Sequence, residues 1–361
     1  MSKKIALLTT GGTIAGANSS HSDESKFLDE STESIGRRPK TGEELFNDYP
    51  ELKEYGDFEI KELCCIDSMY INSKLLKKFA LEIHEYLSRP DIYGAMMLIG
   101  THTAEYNALA QALMNQFPDK TIGITGSMND KDRNHILRHL KDTANVVANS
   151  GINEFVLCFS GDEKSTFTNI YRGANVIKEK PWAYDAFNCP HEGPIGSVVD
   201  DEIIISKDYK SPFSSSRKPL LLDYATDKVM LKIHAPEAAG FADYDIDSLK
   251  DEGYEGIVIN AGVKVADNDT LYPFVKENLK NNIAVAVTNT DTRYMTSDVR
   301  KRDDELKEMG LVDLAIMPQS KALVKMAWTI PQANGDMGKL QEMMRKNYVG
   351  ELNYMNNFYK K

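Results

Sequence analysis

Short apolar runs alternate with amphipathic segments along most of the 361 residues, and this alternation restricts the fold more than any other feature. In the first half, the apolar runs predict strands, and segments with apolar residues at helical spacing predict the helices between them. The predicted strands are Ile5–Leu8, Phe58–Ile66, Ala95–Ile99, Thr121–Thr125 and Glu154–Phe159, and the predicted helices are Ser73–Leu87, Ala104–Phe117 and Arg133–Asn149. Because strands that alternate with helices pair in parallel, we predict an α/β fold with a doubly wound, mostly parallel sheet.

A second alternation begins after a stretch that has no periodicity. Residues 207–225 contain Pro212, Pro219 and three consecutive serines, which is typical of a linker. We therefore predict a larger N-terminal catalytic domain at 1–206, a linker at 207–225 and a smaller C-terminal α/β domain at 226–361. The predicted strands of the second domain are Val229–Ile233, Gly256–Asn260, Ile283–Thr288 and Asp313–Met317, and its predicted helices are Thr270–Leu279, Ser297–Met309, Ser320–Thr329 and Gly338–Tyr348.

The composition argues against several classes of partner. A net charge of −11, with no run of five basic residues, argues against nucleic acid and against an anionic membrane surface. No stretch approaches the roughly 18 apolar residues of a membrane span, and the first residues lack the apolar region of a signal peptide. The four cysteines include no CxxC motif and indicate reduced thiols. These observations predict a cytoplasmic protein that takes a small-molecule ligand.

The first strand ends in a turn that can carry chemistry. Residues 9–13 read Thr-Thr-Gly-Gly-Thr, so a hydroxyl, Thr13, follows two glycines at the carboxyl end of a predicted buried strand. Ligands of open α/β sheets bind at such strand ends, and glycines let the main chain approach a ligand closely. Thr13 can then act as a nucleophile beside main-chain N–H groups that stabilise an oxyanion. The alternative is a glycine turn that only reverses the chain.

Further hydroxyls stand where other predicted strands end, namely Ser68, Thr101 and Thr103. Lys178 can serve as their base if burial keeps its amine neutral, and the alternative is a solvated surface lysine. The polar stretch 17–43 follows the glycine turn and is interpreted as a lid, with a solvated insertion as the alternative. Within it, residues 41–44 have the spacing of a capping box and predict the start of a short helix.

In the order of the chain, several segments resemble the signatures of the bacterial and archaeal L-asparaginase (asparaginase/glutaminase) family. Residues 9–16 resemble its first signature, and Gly-Thr-His-Thr at 100–103 stands where the family has Gly-Thr-Asp-Thr. The other similar segments are Ile66–Ser68, Gly126–Met128, Arg172–Phe187 and Gly310–Trp328.

The resemblance implies a two-domain amidohydrolase that converts L-asparagine to L-aspartate and ammonia without a metal or organic cofactor. It makes Thr13 the nucleophile and Thr101 with Lys178 the opposed hydroxyl and base. It places Ser68, in the loop with Asp67, on the substrate's α-carboxylate, and it places Gly12, Thr13 and Ser127 around the scissile amide through main-chain groups. It also implies a homodimer or homotetramer.

Three departures from the family lie at the expected substrate site. His102 replaces the aspartate that partners the substrate's α-ammonium group and the lysine. Losing one member of a buried ion pair costs roughly 3–5 kcal/mol, which predicts poor activity on free asparagine unless Asp67 or an acid of a neighbouring subunit compensates. The lid has no tyrosine between Gly16 and Tyr49, and Ile99 and Met69 replace usual polar residues.

Two further hypotheses about function follow from these departures. The substrate amide either lacks a free α-ammonium group or carries negative charge that His102, Arg37 or Arg38 meets. The chain can also be a non-catalytic amino-acid binder, although keeping Thr13, Thr101 and Lys178 argues against this. An amidotransferase subunit that acts with tRNA is disfavoured by the acidic charge and by the position of the glycine turn near residue 9.

Other candidate residues have structural interpretations. His135 and His139 have a spacing that can bind metal, but no Glu completes an HExxH motif, and solvated positions on a helix are favoured. His191 and Glu192 lie in a turn-rich stretch and are interpreted as turn residues. Trp182 and the nearby Tyr184 are interpreted as packing residues.

Overall fold

The computed structural model describes residues 4–12, 14, 40–116, 118–211, 220–233, 249, 252–261, 265–288 and 297–353. The chain divides into two compact units, a larger one of Met1–Leu222 with Val349–Glu351 and a smaller one of Asp223–Tyr348 with Leu352–Lys361. The domain bounds and the linker at 207–225 stay predictions, since residues 212–219 are outside the described part.

The larger unit is built from ten strands and four α-helices among its described residues. The strands are β1 (Lys4–Gly11), β2 (Asp57–Ile66), β3 (Ile92–Leu98), β4 (Thr121–Thr125), β5 (Phe155–Ser160), β6 (Thr168–Arg172), β7 (Ile177–Lys178), β8 (Phe187–Asn188), β9 (Gly196–Val199) and β10 (Glu202–Ile205). The helices are α1 (Gly42–Asp48), α2 (Ser73–Ser88), α3 (Ala104–Met114) and α4 (Arg133–Asn149), with 3₁₀ helices at Pro50–Tyr55 and Ser68–Tyr70.

Eight of these strands form one sheet in the order β10-β9-β6-β5-β4-β3-β1-β2, and β7 and β8 form a separate hairpin. Strands β2, β1, β3, β4 and β5 pair in parallel. Strands β6, β9 and β10 extend the sheet in antiparallel pairs. The predicted α/β class and mostly parallel sheet are therefore confirmed.

The strand order creates a crevice at the carboxyl ends of β1 and β3. The chain first moves outward from β1 to β2 and then crosses back to place β3 on the other side of β1. At such a reversal, the connections that leave the two neighbouring strands diverge, which opens a space for a ligand. The glycine turn after β1 and residues 100–103 after β3 both border this space.

Local sequence signals account for the helix starts. Thr41 accepts a hydrogen bond from the N–H of Glu44, whose side chain accepts one from the Thr41 N–H, so the predicted capping box is confirmed. Asn72 and Asp132 cap α2 and α4 in the same way with their side-chain oxygens. Apolar side chains of β1, β3 and α4 then form one buried cluster that includes Ile5, Leu7, Met96, Leu98, Ile136 and Leu140.

The smaller unit contains a four-stranded parallel sheet in the order β11-β12-β13-β14. Its strands are β11 (Val229–Ile233), β12 (Gly256–Asn260), β13 (Ala284–Thr288) and β14 (Val312–Asp313), and its helices are α5 (Leu271–Lys280), α6 (Ser297–Glu308), α7 (Gln319–Ala333) and α8 (Met337–Arg345). Its described buried apolar side chains form two clusters, one with α5 and the other with α7 and α8.

One predicted strand of this unit is much shorter than expected. The apolar run 313–317 predicts a strand, but β14 ends at Asp313. Ala315 adopts a left-handed conformation with φ of 47°, and its N–H donates to the Asp313 carboxylate 2.8 Å away. This turn leads the chain into α7, which begins just after Pro318. Apolar composition alone does not reveal such a turn.

A buried ion network corrects the interpretation of Glu192. Arg172 on β6 is 1% exposed and pairs with Glu154 and with Glu192, whose Oε1 lies 2.9 Å from Arg172 Nε. Glu192 also accepts a hydrogen bond from Asn175. Its role is therefore to compensate a buried guanidinium, whereas His191, at φ of 78°, does lie in a turn.

The longest described helix is α4, with 17 residues. Within the described part of the chain, no helix combines the length and the apolar character that crossing a membrane requires.

We predict that Asp142→Asn stabilises the protein above pH 6. Asp142 on α4 is 4% exposed, and burial raises its pKa to about 6, although Thr168, Arg138 and Lys141 oppose the shift. The folded protein therefore holds this proton more tightly than the unfolded chain, and stability is lost as the pH rises from about 4 to 6. Removing the charge raises the free energy of unfolding by roughly 2–3 kcal/mol at pH 8.

Urea denaturation of both proteins at pH 8 and pH 4 measures this effect. The gain disappears at pH 4, where the wild-type carboxyl is largely protonated in both states. Asp201→Asn, at a side chain that is 65% exposed, is the matched control and changes stability by less than about 0.5 kcal/mol. An equal gain for Asp142→Asn at both pH values contradicts the prediction.

Candidate active site

The turn after β1 is in backbone contact with its two neighbouring strands. Gly11 and Gly12 have positive φ angles of 93° and 78°. A Cβ on Gly11 would lie 2.8 Å from Ile66 N at the end of β2, and a Cβ on Gly12 would lie 2.6 Å from the Cα of Gly100. Only glycine meets both demands. Thr13 and most of the predicted lid, including Arg37 and Arg38, lie outside the described residues.

The end of β3 is in equally close contact with the loop after β2. A Cβ on Gly100 would lie 2.5 Å from Ser68 Oγ, and Thr103 Oγ1 donates to the Ser68 carbonyl at 3.2 Å. Ser68 is 1% exposed, and its hydroxyl has no hydrogen-bond partner among the described residues. A buried hydroxyl without a partner is costly, so its position favours a polar ligand at this point.

Thr101 and Lys178 form a hydroxyl–amine pair in this crevice. Lys178 Nζ lies 2.9 Å from Thr101 Oγ1, and Thr101 is 5% exposed. Lys178 is half-buried in the hairpin strand β7, and burial lowers its pKa. A lower pKa increases the fraction of neutral amine, which can accept the proton of the hydroxyl. The alternative of a solvated surface lysine is wrong.

Glu105 is the carboxylate that acts on Lys178. Its Oε2 accepts the Lys178 main-chain N–H at 2.8 Å, and its charge raises the pKa of Lys178, opposing the effect of burial. Sequence reasoning missed this residue. The available signal was its position, since Glu105 stands four residues after Thr101 on the apolar face of α3 among Ala104, Ala108 and Leu109.

His102 is at the exposed border of the site. Its side chain is 61% exposed, and its Nδ1 lies 3.7 Å from Asp67 Oδ1. The same Asp67 oxygen accepts the Met69 N–H at 2.9 Å and caps the 3₁₀ helix Ser68–Tyr70. Asp67 is therefore engaged with its own loop and faces His102.

Ser127 follows β4 and is 1% exposed. Its hydroxyl donates to the Asn129 carbonyl at 2.9 Å and accepts the Asn129 N–H at 3.1 Å. The hydroxyl is thus used in closing a turn. The arrangement favours main-chain contacts between this turn and a ligand.

The structure corrects the interpretation of two other residue pairs. His135 and His139 on α4 are 2% and 0% exposed and form hydrogen bonds with Ser165 and Ser160, so the prediction of solvated positions is wrong. Trp182 is 92% exposed and does not pack, whereas Tyr184 stacks on His135. Among the described residues, no group of three or more His, Cys, Asp or Glu side chains is arranged to hold a metal ion.

Solved structures with the same architecture are L-asparaginases. The thermostable L-asparaginase from Thermococcus kodakarensis is 19% identical, with a TM-score of 0.76, over 96% of this chain and 98% of that one. A probable cytoplasmic L-asparaginase from Campylobacter jejuni is 20% identical, with a TM-score of 0.71, over 96% of this chain and 100% of that one. These similarities define the fold as that of L-asparaginases.

The family follows from the sequence match. A family model described as "Asparaginase, N-terminal" matches residues 4–210, and the chain belongs to the asparaginase family. Proteins with similar sequences include archaeal glutamyl-tRNA(Gln) amidotransferase subunits. The one from Sulfolobus acidocaldarius is 25% identical over 98% of this chain and 77% of its own length, and the one from Pyrococcus furiosus is 28% identical over 96% and 76%. The family and the fold support a hydrolase that acts on amides.

We predict that replacing Glu105 lowers the pKa of Lys178 further. Burial already lowers this pKa, and the Glu105 charge opposes the shift, so Glu105→Gln removes the opposing attraction. Titration of ¹³C-methylated lysines by NMR, with Lys178→Arg to assign the signal, measures the change. Glu179→Gln, at an exposed carboxylate on the next residue of the hairpin, is the control and leaves the pKa in place. An unchanged or higher pKa in Glu105→Gln contradicts the prediction.

Proposed function

We propose that this chain is an amidohydrolase that cleaves a side-chain amide to a carboxylic acid and ammonia, with L-asparagine as the default substrate. The observation that carries the proposal is the distance of 2.9 Å between Lys178 Nζ and Thr101 Oγ1, in the crevice between β1 and β3. A binding protein has no need of a half-buried amine at a hydroxyl, whereas acyl transfer needs a proton acceptor at that place.

The proposed reaction has two halves. The hydroxyl of Thr13, which follows Gly12 in the sequence, attacks the amide carbon, and main-chain N–H groups of the glycine turn stabilise the oxyanion. The C–N bond breaks, and the leaving ammonia takes its proton through the Thr101–Lys178 pair. Water then attacks the ester, gives a proton to the same pair and releases the acid. Ser68 binds a carboxylate of the substrate, and Ser127 faces the amide with its main chain.

The substrate is proposed to lack a free α-ammonium group. The family aspartate that would pair with such a group is His102 here, and the two acidic residues nearby are already engaged. Glu105 accepts the Lys178 N–H, and Asp67 accepts the Met69 N–H and faces His102. An N-acylated asparagine or glutamine avoids an uncompensated ammonium group in this site.

A second candidate function is the amide-hydrolysing component of an amidotransferase. It is favoured by identities of 25–28% to glutamyl-tRNA(Gln) amidotransferase subunits over 96–98% of this chain. In that case glutamine is the amide donor and a partner protein receives the ammonia. The net charge of −11 argues against direct contact of this chain with tRNA. A homodimer or homotetramer and a cytoplasmic location stay proposals from the sequence.

The first test of the reaction is ammonia release by variants of the pair. Thr101→Ala and Lys178→Met each lower kcat by about 10²–10⁴-fold, because each removes a group that moves a proton. Thr13→Ala abolishes turnover, because it removes the nucleophile. Lys180→Met, at an exposed lysine of the same hairpin, is the matched control and retains wild-type activity. Normal ammonia release by folded Thr101→Ala or Lys178→Met rules out the proposed mechanism.

A substrate panel tests the role of His102. L-Asparagine, L-glutamine and their N-acetyl derivatives are compared as sources of ammonia. We expect wild-type protein to prefer the N-acetyl amides and His102→Asp to shift the ratio of kcat/KM values toward free asparagine by about 10²-fold, since a new carboxylate pairs with the ammonium group. His102→Gln is the control that removes the imidazole without adding charge. Efficient wild-type turnover of free asparagine that His102→Asp does not change contradicts this substrate assignment.

A further inference from the structure

Helix α4 places two buried imidazoles one helical turn apart behind the site. The ring centroids of His135 and His139 are 4.1 Å apart, and Tyr184 stacks on His135 with a centroid distance of 4.3 Å. Both histidines connect to Ser160 at the end of β5 and to Ser165, and His139 also reaches the turn after β4. The proposed reaction does not use either side chain.

The partners of His139 fix its protonation. Its Nδ1 lies 2.8 Å from the Gly126 carbonyl oxygen, which can only accept, so Nδ1 carries a proton and donates it. Its Nε2 accepts the main-chain N–H of Ser160 at 3.0 Å, so Nε2 carries none. The ring is therefore neutral with the proton on Nδ1, and burial agrees with this by lowering the pKa of His139 to about 3.

The direction of the remaining hydrogen bonds follows from this tautomer. Ser160 Oγ lies 2.8 Å from the unprotonated Nε2 of His139, where two facing lone pairs would repel, so the Ser160 hydroxyl donates. Ser160 Oγ then accepts from the Ser165 hydroxyl at 2.8 Å, and Ser165 Oγ accepts from His135 Nδ1 at 3.0 Å. The chain of hydrogen bonds has one proton order, and it ends at the Gly126 carbonyl.

This end point orients a peptide group beside Thr101. The Gly126 carbonyl and the Ser127 N–H belong to one planar trans peptide, so a carbonyl held toward α4 directs the Ser127 N–H to the opposite side. Gly126 is also in close contact with the end of β3. A Cβ on Gly126 would lie 2.4 Å from the Ile99 carbonyl oxygen and 3.3 Å from Thr101 Cγ2.

We propose that His139, anchored by Ser160, is a positioning residue that sets the Gly126–Ser127 peptide against Thr101. The inference rests on the proposed function, in which main-chain groups of this turn face the scissile amide. A glycine backbone without the anchor has a wide choice of conformations, and a displacement near 1 Å at a reacting group can cost about 10²-fold in rate. The serine–histidine chain therefore acts on the reaction without contacting the substrate.

Two substitutions separate positioning from packing. In His139→Asn the amide nitrogen takes the place of Nδ1 and keeps the donor to Gly126, whereas in His139→Gln the amide group takes the place of Nε2 and loses that donor. We expect His139→Asn to keep kcat within about 3-fold and His139→Gln to lower kcat by about 10–100-fold with a smaller change in KM. A purely structural role lowers activity in both variants in proportion to the fraction that unfolds. Equal kcat values in the two folded variants overturn the proposal.

A readout independent of activity keeps this test separate from the proposed function. Hydrogen exchange of the segment 121–129, followed by mass spectrometry, is expected to be faster in His139→Gln than in wild type and unchanged in His139→Asn. If wild-type protein releases no ammonia from any amide of the panel, the proposed function fails, and the exchange result still decides whether His139 anchors the turn. If His139→Gln does not fold, ¹⁵N NMR of the wild-type imidazoles decides, because an Nε2-protonated His139 overturns the proposal.

Discussion

The site depends on close contact between the main chains where neighbouring parallel strands end. Gly12 packs on Gly100, Gly100 packs on Ser68, and Gly126 packs on the Ile99 carbonyl, at separations that exclude any Cβ. Side chains normally keep the ends of adjacent strands apart and fill the crevice at the carboxyl edge. Glycines there let Ser68 and Thr101 share a small space beside the turn that carries Ser127. The reversal of strand order around β1 explains why a crevice opens at this edge.

Lys178 reaches this space from a different kind of structure. It lies in the two-stranded hairpin of β7 and β8, outside the main sheet, so its position depends on tertiary contacts. Glu105, in the first turn of α3, holds its main-chain N–H, and Thr101 lies next to its amine. Burial and the Glu105 charge act on the same amine in opposite directions. The balance keeps a lysine in reach of a hydroxyl without burying an unpaired charge.

Much of this structure could be predicted from the sequence because the relevant signals are local. The alternation of strands and helices, the capping box at Thr41 and the glycine turn all depend on residues near each other in the chain. The errors concern partners that are distant in sequence. The pattern around His139 favours solvent because nothing near it indicates Ser160, 21 residues away, and the pattern around Glu192 favours a turn because Arg172 lies 20 residues before it. Glu105 escapes notice for the same reason, since its partner Lys178 is 73 residues away.

The replacement of an aspartate by His102 changes the charge balance of the site in a specific way. In the described part of the chain, the site carboxylates nearest this position already serve the protein itself, Glu105 through the main chain of Lys178 and Asp67 through the 3₁₀ helix it caps. Neither can turn toward a substrate ammonium group without leaving a main-chain N–H unsatisfied, which costs about 1–3 kcal/mol when the N–H is buried. A cationic substrate would therefore have to overcome both the missing carboxylate and this penalty. An amide without an α-ammonium group avoids both costs, so a histidine at position 102 fits hydrolysis of a modified amide better than hydrolysis of free asparagine.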